Sequence, residues 1–174
     1  LAHAKGKYYI CIDSDTMYPP KYIETLVQKL EQPDIVAVSS LWSYIPDKQH
    51  PWLGVKLYEF FRDSYLFLQS FKRPELSVRG LVFAYNIAYG RKVGYRVDIV
   101  RGEDGSMALG LKKYGKIGFI RKRKARAVTG YGTVGADGSF FNSFKTRAVK
   151  ALRNAGNLFI KKEIYEDEDS NLIK

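Results

Sequence analysis

The chain has 174 residues with 45% hydrophobic and 14% aromatic content. That is the composition of one globular domain, or a large part of one, and it excludes a disordered or low-complexity protein. Its 29 Lys and Arg against 18 Asp and Glu give a formal net charge of +11, which implies an anionic partner: a phosphorylated substrate, a membrane surface or nucleic acid.

A single cysteine, Cys11, excludes an internal disulfide and suits a reducing, cytoplasmic compartment. A contact with the inner face of a membrane stays open. No apolar run approaches the roughly 18 residues of a membrane span, and the first residues lack the charged-then-apolar pattern of a signal peptide. The chain begins without Met and close to its first predicted strand, so its natural start is expected to lie upstream.

From Leu1 to Gly6 the sequence reads as the tail of a helix, with Gly6 as its C-cap. Tyr8 to Ile12 is an apolar run free of Gly and Pro, which predicts a strand buried on both faces of a mostly parallel sheet. It ends in Asp13-Ser14-Asp15. In open α/β sheets, ligands bind beyond the carboxyl ends of strands. Two carboxylates this close repel each other, and a hard divalent cation such as Mg²⁺ or Mn²⁺ relieves the repulsion. A polar turn with an Asp capping the next helix accounts for the same residues. Pro19 and Pro20 suit a first helical turn, and Tyr22, Ile23, Leu26, Val27 and Leu30 follow at helical spacing up to Pro33. Ile35 to Ser39 predicts a second strand. Strand, carboxylates, helix and strand in this order are the grammar of an α/β nucleotide-binding fold.

Trp52 to Phe71 is strongly aromatic with few charges and predicts an amphipathic helix, ended by Pro74. It either packs across the sheet edge or presents a face to lipid or a partner. Leu81 to Ala88 predicts a strand, preceded by Arg79-Gly80, where Gly80 either lets backbone approach a ligand or begins the strand. A Gly-rich loop is expected next, then Arg101-Gly102-Glu103-Asp104-Gly105 at the start of a helix that closes at Lys112-Lys113-Tyr114-Gly115. Glu103 and Asp104 thus fall where negative charge is favourable on helix-dipole grounds alone. Lys116 to Ile120 predicts a short strand. Arg121 to Lys124, with Arg126, form the densest basic cluster, which is either a solvated surface strand or a receptor for phosphates. Thr129 to Ser139 reads as a Gly-rich loop, Asn142 to Phe159 as a basic amphipathic helix, and 161–174 as an acidic, disordered tail. His3 and His50, outside any metal-ligand spacing, read as surface residues. Neither Ser14 nor Cys11 has a base nearby in sequence to make it a nucleophile.

Taken together, three groups of residues resemble the family 2 glycosyltransferases of GT-A (Rossmann-like) fold. The stretch Ala4-Lys5-Gly6-Lys7-Tyr8 leading to Asp13-Ser14-Asp15 and Pro19-Pro20 looks like that family's metal-binding segment. Leu81 to Gly94, and on to Glu103-Asp104 and the Lys112 to Ile117 stretch, looks like its acceptor-side segment. The resemblance covers most of Leu1 to Thr129. It implies an α/β catalytic domain over 1–160 whose nucleotide-base-binding half precedes the Asp-x-Asp segment, so that this chain is the carboxyl-side portion of a longer enzyme. Gly105-Ser106 stands where many members carry an aromatic and a second acid. The Gln-x-x-Arg-Trp pattern of processive synthases is missing, which favours single sugar additions.

By resemblance, Asp15 binds a divalent metal (Mn or Mg), Asp13 serves the donor ribose or a metal-bound water, and Asp104 is the base, with Glu103 beside it in the acceptor site. Ser14, Arg79, Gly80 and Arg101 are expected substrate-binding residues. The implied partners are a nucleotide-sugar donor and a saccharide or lipid-linked acceptor, with peripheral membrane contact through the basic segments. A nucleic-acid-binding module would explain the charge but leave the clustered carboxylates without a role. A non-catalytic interaction domain is the other alternative.

Overall fold

The structure, a computed structural model, describes residues 1, 3–48, 50–96, 98 and 102–131. The expected basic helix at 142–159, the acidic tail and Arg101 lie outside these residues. In chain order the first half holds strand β1 (Tyr8–Ile10), β2 (Thr16–Met17), helix α1 (Tyr22–Leu30), β3 (Ile35–Ser40), β4 (Trp42–Tyr44) and helix α2 (Trp52–Lys72). The second half holds β5 (Phe83–Asn86), α3 (Ile87–Val93), α4 (Glu103–Leu111), β6 (Lys116–Ile120) and β7 (Ala127–Thr129), with short 3-10 turns at Pro74–Ser77, Gly80–Val82 and Arg123–Ala125.

The main sheet has the order β1-β5-β3-β6. β6 runs parallel to β3, whereas β5 is antiparallel to both its neighbours. Thus β1, β3 and β6 point the same way and β5 alone is reversed. Side chains alternate across the sheet as strand geometry requires. Phe83 and Tyr85 pack on one face with Met107, Ala108 and Leu111 of α4. Val38, Ala84 and Ile120 pack on the other with Tyr22, Leu26 and Leu30 of α1. The result is a three-layer α/β/α arrangement. A second sheet, β2-β7-β4, packs through Trp42 and Tyr44 against Val55 and Leu66 of α2.

α1 follows from its sequence. Tyr22, Leu26 and Leu30 at i, i+4 and i+8 fall on one face and all three are buried. Burial of a side chain such as Leu26 is worth roughly 1.5–3 kcal/mol. The prolines precede this helix, and Pro19 serves as acceptor for the Tyr22 amide at 2.9 Å.

Several expectations are corrected. β1 is a half-buried strand that ends at Ile10, and Ile12 is exposed, because its only strand neighbour among the described residues is β5. Residues 1–6, Ala2 aside, form no helix. The strand expected over Leu81 to Ala88 is confined to β5, and the expected Gly-rich loop is instead α3, started by Asn86, whose side chain accepts from the Ala88 amide at 2.9 Å. N-capping of this kind outweighs the helix-breaking tendency of a single Gly90. The Arg121 to Lys124 cluster is exposed but not a strand, since β6 has ended at Ile120. Thr129 belongs to β7 rather than to a loop. His50 is buried, with its ring stacked on Tyr131 at 3.8 Å and Nδ1 2.8 Å from Asp47 Oδ1.

Candidate active site at the strand rim

The reversed β5 brings two distant segments together. Because β5 runs against β1, the entry to β5 lies at the same end of the sheet as the exit from β1, and the Cys11 amide bonds the Phe83 carbonyl at 2.9 Å. The Asp13-Ser14-Asp15 loop and the Gly80–Val82 turn therefore share one rim. All three loop residues are exposed. The Thr16 hydroxyl donates to Asp15 Oδ1 at 3.2 Å. Tyr18 ties the two segments: its phenolic oxygen accepts from the Asp13 amide at 2.9 Å and its O–H donates to the Leu81 carbonyl at 2.9 Å.

The first turn of α4 completes the rim. Its cap, Gly102, has φ of +88°, a left-handed conformation that a residue with a Cβ enters only at a cost. This turn delivers Asp104 onto Gly80: a Cβ added to Gly80 would lie 2.5 Å from Asp104 Oδ2. The Asp104 carboxylate accepts the Gly80 amide, and burial together with the charges of Glu103 and Asp13 pushes it up to about 6. The Arg79 charge and the Gly80 hydrogen bond work the other way but do not prevail. Arg79 itself folds back, donating to the carbonyls of Leu76 and Val78 at 3.0 and 2.6 Å. Burial, with repulsion from Asp15, also raises Asp13.

Of the predicted residues, Asp13, Ser14, Asp15, Arg79, Gly80, Glu103 and Asp104 meet at this rim. The Arg121 to Lys124 cluster follows β6 at this end of the sheet but at its opposite edge, with the Arg121 guanidinium 4.1 Å over the Phe67 ring of α2. Sequence reasoning missed Tyr18, whose partner is 63 positions away, and the layer behind Asp104. There Cys11 Sγ lies 3.8 Å from the Tyr95 hydroxyl, and the Tyr85 hydroxyl donates to Tyr95 at 3.1 Å. Burial pushes the Cys11 thiol up to about 12, so it is not a nucleophile at neutral pH.

Among the described residues no group of three or more His, Cys, Asp and Glu is placed to hold a metal ion. The donor set still fits a hard divalent ion that shares its coordination with a substrate. Asp13 and Asp15 supply carboxylate oxygens, and Asp13 is raised first by burial and then by repulsion from Asp15, the second of which such an ion would relieve.

A family model, "Glycosyl transferase family 2", matches residues 1–114, a span that includes every residue of this rim. The chain belongs to glycosyl transferase family 2. In fold, this family member is similar to a solved structure, "Mannosyltransferase PcManGT from Pyrobaculum calidifontis in complex with GDP-Man and Mn2+", with a TM-score of 0.50 at 15% sequence identity. The likeness extends over 92% of this chain and 47% of that one, so the family 2 chain spans less than half the length of the mannosyltransferase. The α/β fold expected from the resemblance is the fold found. A comparison with curated proteins finds no match.

Proposed function

We propose that the chain is the catalytic part of a glycosyltransferase that moves a sugar from a nucleotide-diphosphate donor to an acceptor hydroxyl, in glycan or polysaccharide synthesis. The observation that carries this reading is Asp104, pressed on Gly80 at the strand rim with its pKa raised to about 6. A general base works best when its pKa lies near the working pH. In this reading Asp104 takes the acceptor hydroxyl's proton as that oxygen bonds to the anomeric carbon. The bond to the diphosphate breaks on the opposite side, its electron pair leaves with the phosphate, and configuration inverts. Gly80 holds one oxygen of Asp104 in place, and Glu103 accepts a hydrogen bond from the acceptor.

Asp15 and Asp13 would hold Mn²⁺ or Mg²⁺ through carboxylate oxygens, and such an ion supplies Lewis-acid stabilisation of the leaving diphosphate. The mannosyltransferase of similar fold was solved with GDP-Man and Mn2+, a donor and a metal of the proposed classes. Ser14 and Arg79 line the donor side, and a saccharide or lipid-linked alcohol is the acceptor. The test is Mn²⁺-dependent turnover of a panel of sugar nucleotides by the longest natural form of the protein. Asp15→Ala should lose donor turnover, whereas Asp104→Asn should bind donor but fail to transfer. If the wild type neither binds nor turns over any donor, the reading is wrong.

A further inference from the structure

α2 is built inside out. Its acids are Glu59 and Asp63, and both point into the protein. Glu59 is 5% exposed and accepts the Tyr44 amide at 2.7 Å, while Asp63 bonds Arg62 at 2.7 Å and also Arg126. Gln69 is 4% exposed and donates to the Tyr65 hydroxyl at 2.8 Å. Arg62 lies 4.3 Å over the Trp42 ring. The opposite face carries Leu53, Leu57, Phe60, Phe61, Leu68 and Phe71, all more than half exposed, with Leu53 at 73%. At 100° per residue these six fall within about 100° of one another around the helix. Ser64 in their midst satisfies its hydroxyl on the Phe60 carbonyl at 2.8 Å. The stripe therefore runs without a charge for the helix's 21 residues, about 31 Å.

We infer that this stripe docks on the surface of an anionic lipid bilayer. Charge decides among the occupants. Lys56, paired with Glu59 at 2.9 Å, and Lys72 flank the stripe, the exposed Arg121 to Lys124 run begins over Phe67, and no carboxylate of α2 faces outward. A second copy of the chain would press these cations against their own equivalents. Residues 142–159 carry Lys145, Arg147, Lys150 and Arg153 with no acid, so they would do the same. Anionic headgroups complement the cations, and the acyl boundary takes up Phe and Leu. α2 is not apolar enough to cross a membrane, so it lies in the interface plane. This inference does not depend on the proposed catalysis.

The test is flotation of the full chain with vesicles of phosphatidylcholine, alone or with about one third phosphatidylglycerol, at about 0.1 and 0.5 M salt. Of the two tryptophans, Trp42 is buried and Trp52 is exposed at the start of α2, so Trp52 reports insertion. Binding to the anionic vesicles only, weakened by salt, with a blue-shifted Trp52 emission that brominated lipid quenches, is the expected result. The double variant Phe60→Ser/Leu68→Ser should lose binding on the order of tenfold or more and keep the wild-type melting temperature. Three results would overturn the inference: no vesicle binding by wild type, equal binding by the double variant, or a lowered melting temperature or altered oligomeric state in that variant. The last would mean that protein covers the stripe.

Discussion

Two carboxylates lie near opposite ends of α4 and meet opposite fates. Glu75, on the Pro74–Ser77 turn, is almost fully buried, yet Lys112 at the end of α4 and Arg73 hold its two oxygens at 2.8 and 2.5 Å. Burial pushes its pKa up, but the Lys112 and Arg73 hydrogen bonds outweigh that and keep it below the usual range. Asp104, in the first turn of the same helix, is less enclosed, but its burial and the charges of Glu103 and Asp13 outweigh the Arg79 charge and the Gly80 hydrogen bond, and it is raised to about 6. One carboxylate is wired to be permanently charged; the other is left ready to take a proton. Compensation, rather than depth, separates a structural acid from a candidate base.

The largest expected effect comes from Asp104, the less compensated member. In a transfer assay Asp104→Asn should cut acceptor-dependent turnover by about 10²–10⁴-fold, and wild-type kcat/KM should rise with pH through about 6. Stability should move in the opposite sense. Because folding raises the Asp104 pKa, its ionised form is disfavoured in the native state, so the wild type loses stability as pH climbs from about 4 to about 6. Melting curves of Asp104→Asn and wild type should coincide near pH 4 and separate above pH 6, with the variant about 1 kcal/mol more stable. An unchanged difference across that range would place Asp104 among ordinary surface acids.

Glu75→Gln comes next. It strands two cations around a buried site and should cost about 3 kcal/mol by denaturant unfolding at neutral pH. For this group folding lowers the pKa, so its contribution is present above about 4.5 and is lost as pH falls below that value. The pH dependence of Glu75→Gln stability is thus the mirror image of that of Asp104→Asn. If Glu75→Gln instead abolished transfer while remaining fully folded, the division between the two acids would fail.

Gly80→Ala sharpens the comparison by geometry alone. Its new methyl must displace the Asp104 carboxylate, so transfer should fall roughly 10²-fold with donor affinity unchanged by calorimetry. Tyr18→Phe is the mildest change. Losing the bond to Leu81 and the acceptor for Asp13 should cost about 1 kcal/mol and slow turnover a few-fold, because the carboxylate loop would no longer be pinned to the turn that carries Gly80.

Much of this was legible in the chain before any coordinates. Apolar runs and helical spacing marked β3, α1, α2, α4 and β6 within a residue or two for most of their ends, since those signals are carried by neighbours a few positions apart. The carboxylate pairs stood out because like charges in sequence proximity need a reason. Short β2, β4 and β7 went unseen. Two or three residues carry no periodicity, and their ladders join segments more than eighty positions apart. His50 and α3 were misread for related reasons: Tyr131 buries the first, and a single Asn86 side chain starts the second.

The sequence by itself determined the longer helices and the strands β3 and β6, and that two acidic pairs stand at element ends, because local pattern and helix dipoles act over a turn or two. Only the tertiary structure decided that β5 runs backwards and so brings Gly80 to the Asp13 rim. It also decided that α2 turns its carboxylates inward and most of its Phe and Leu outward, and that Asp104, not Glu75, is the acid whose compensation falls short. Facing, pairing and proton affinity depend on what a residue meets across the fold, and those partners lie tens of positions away in the chain.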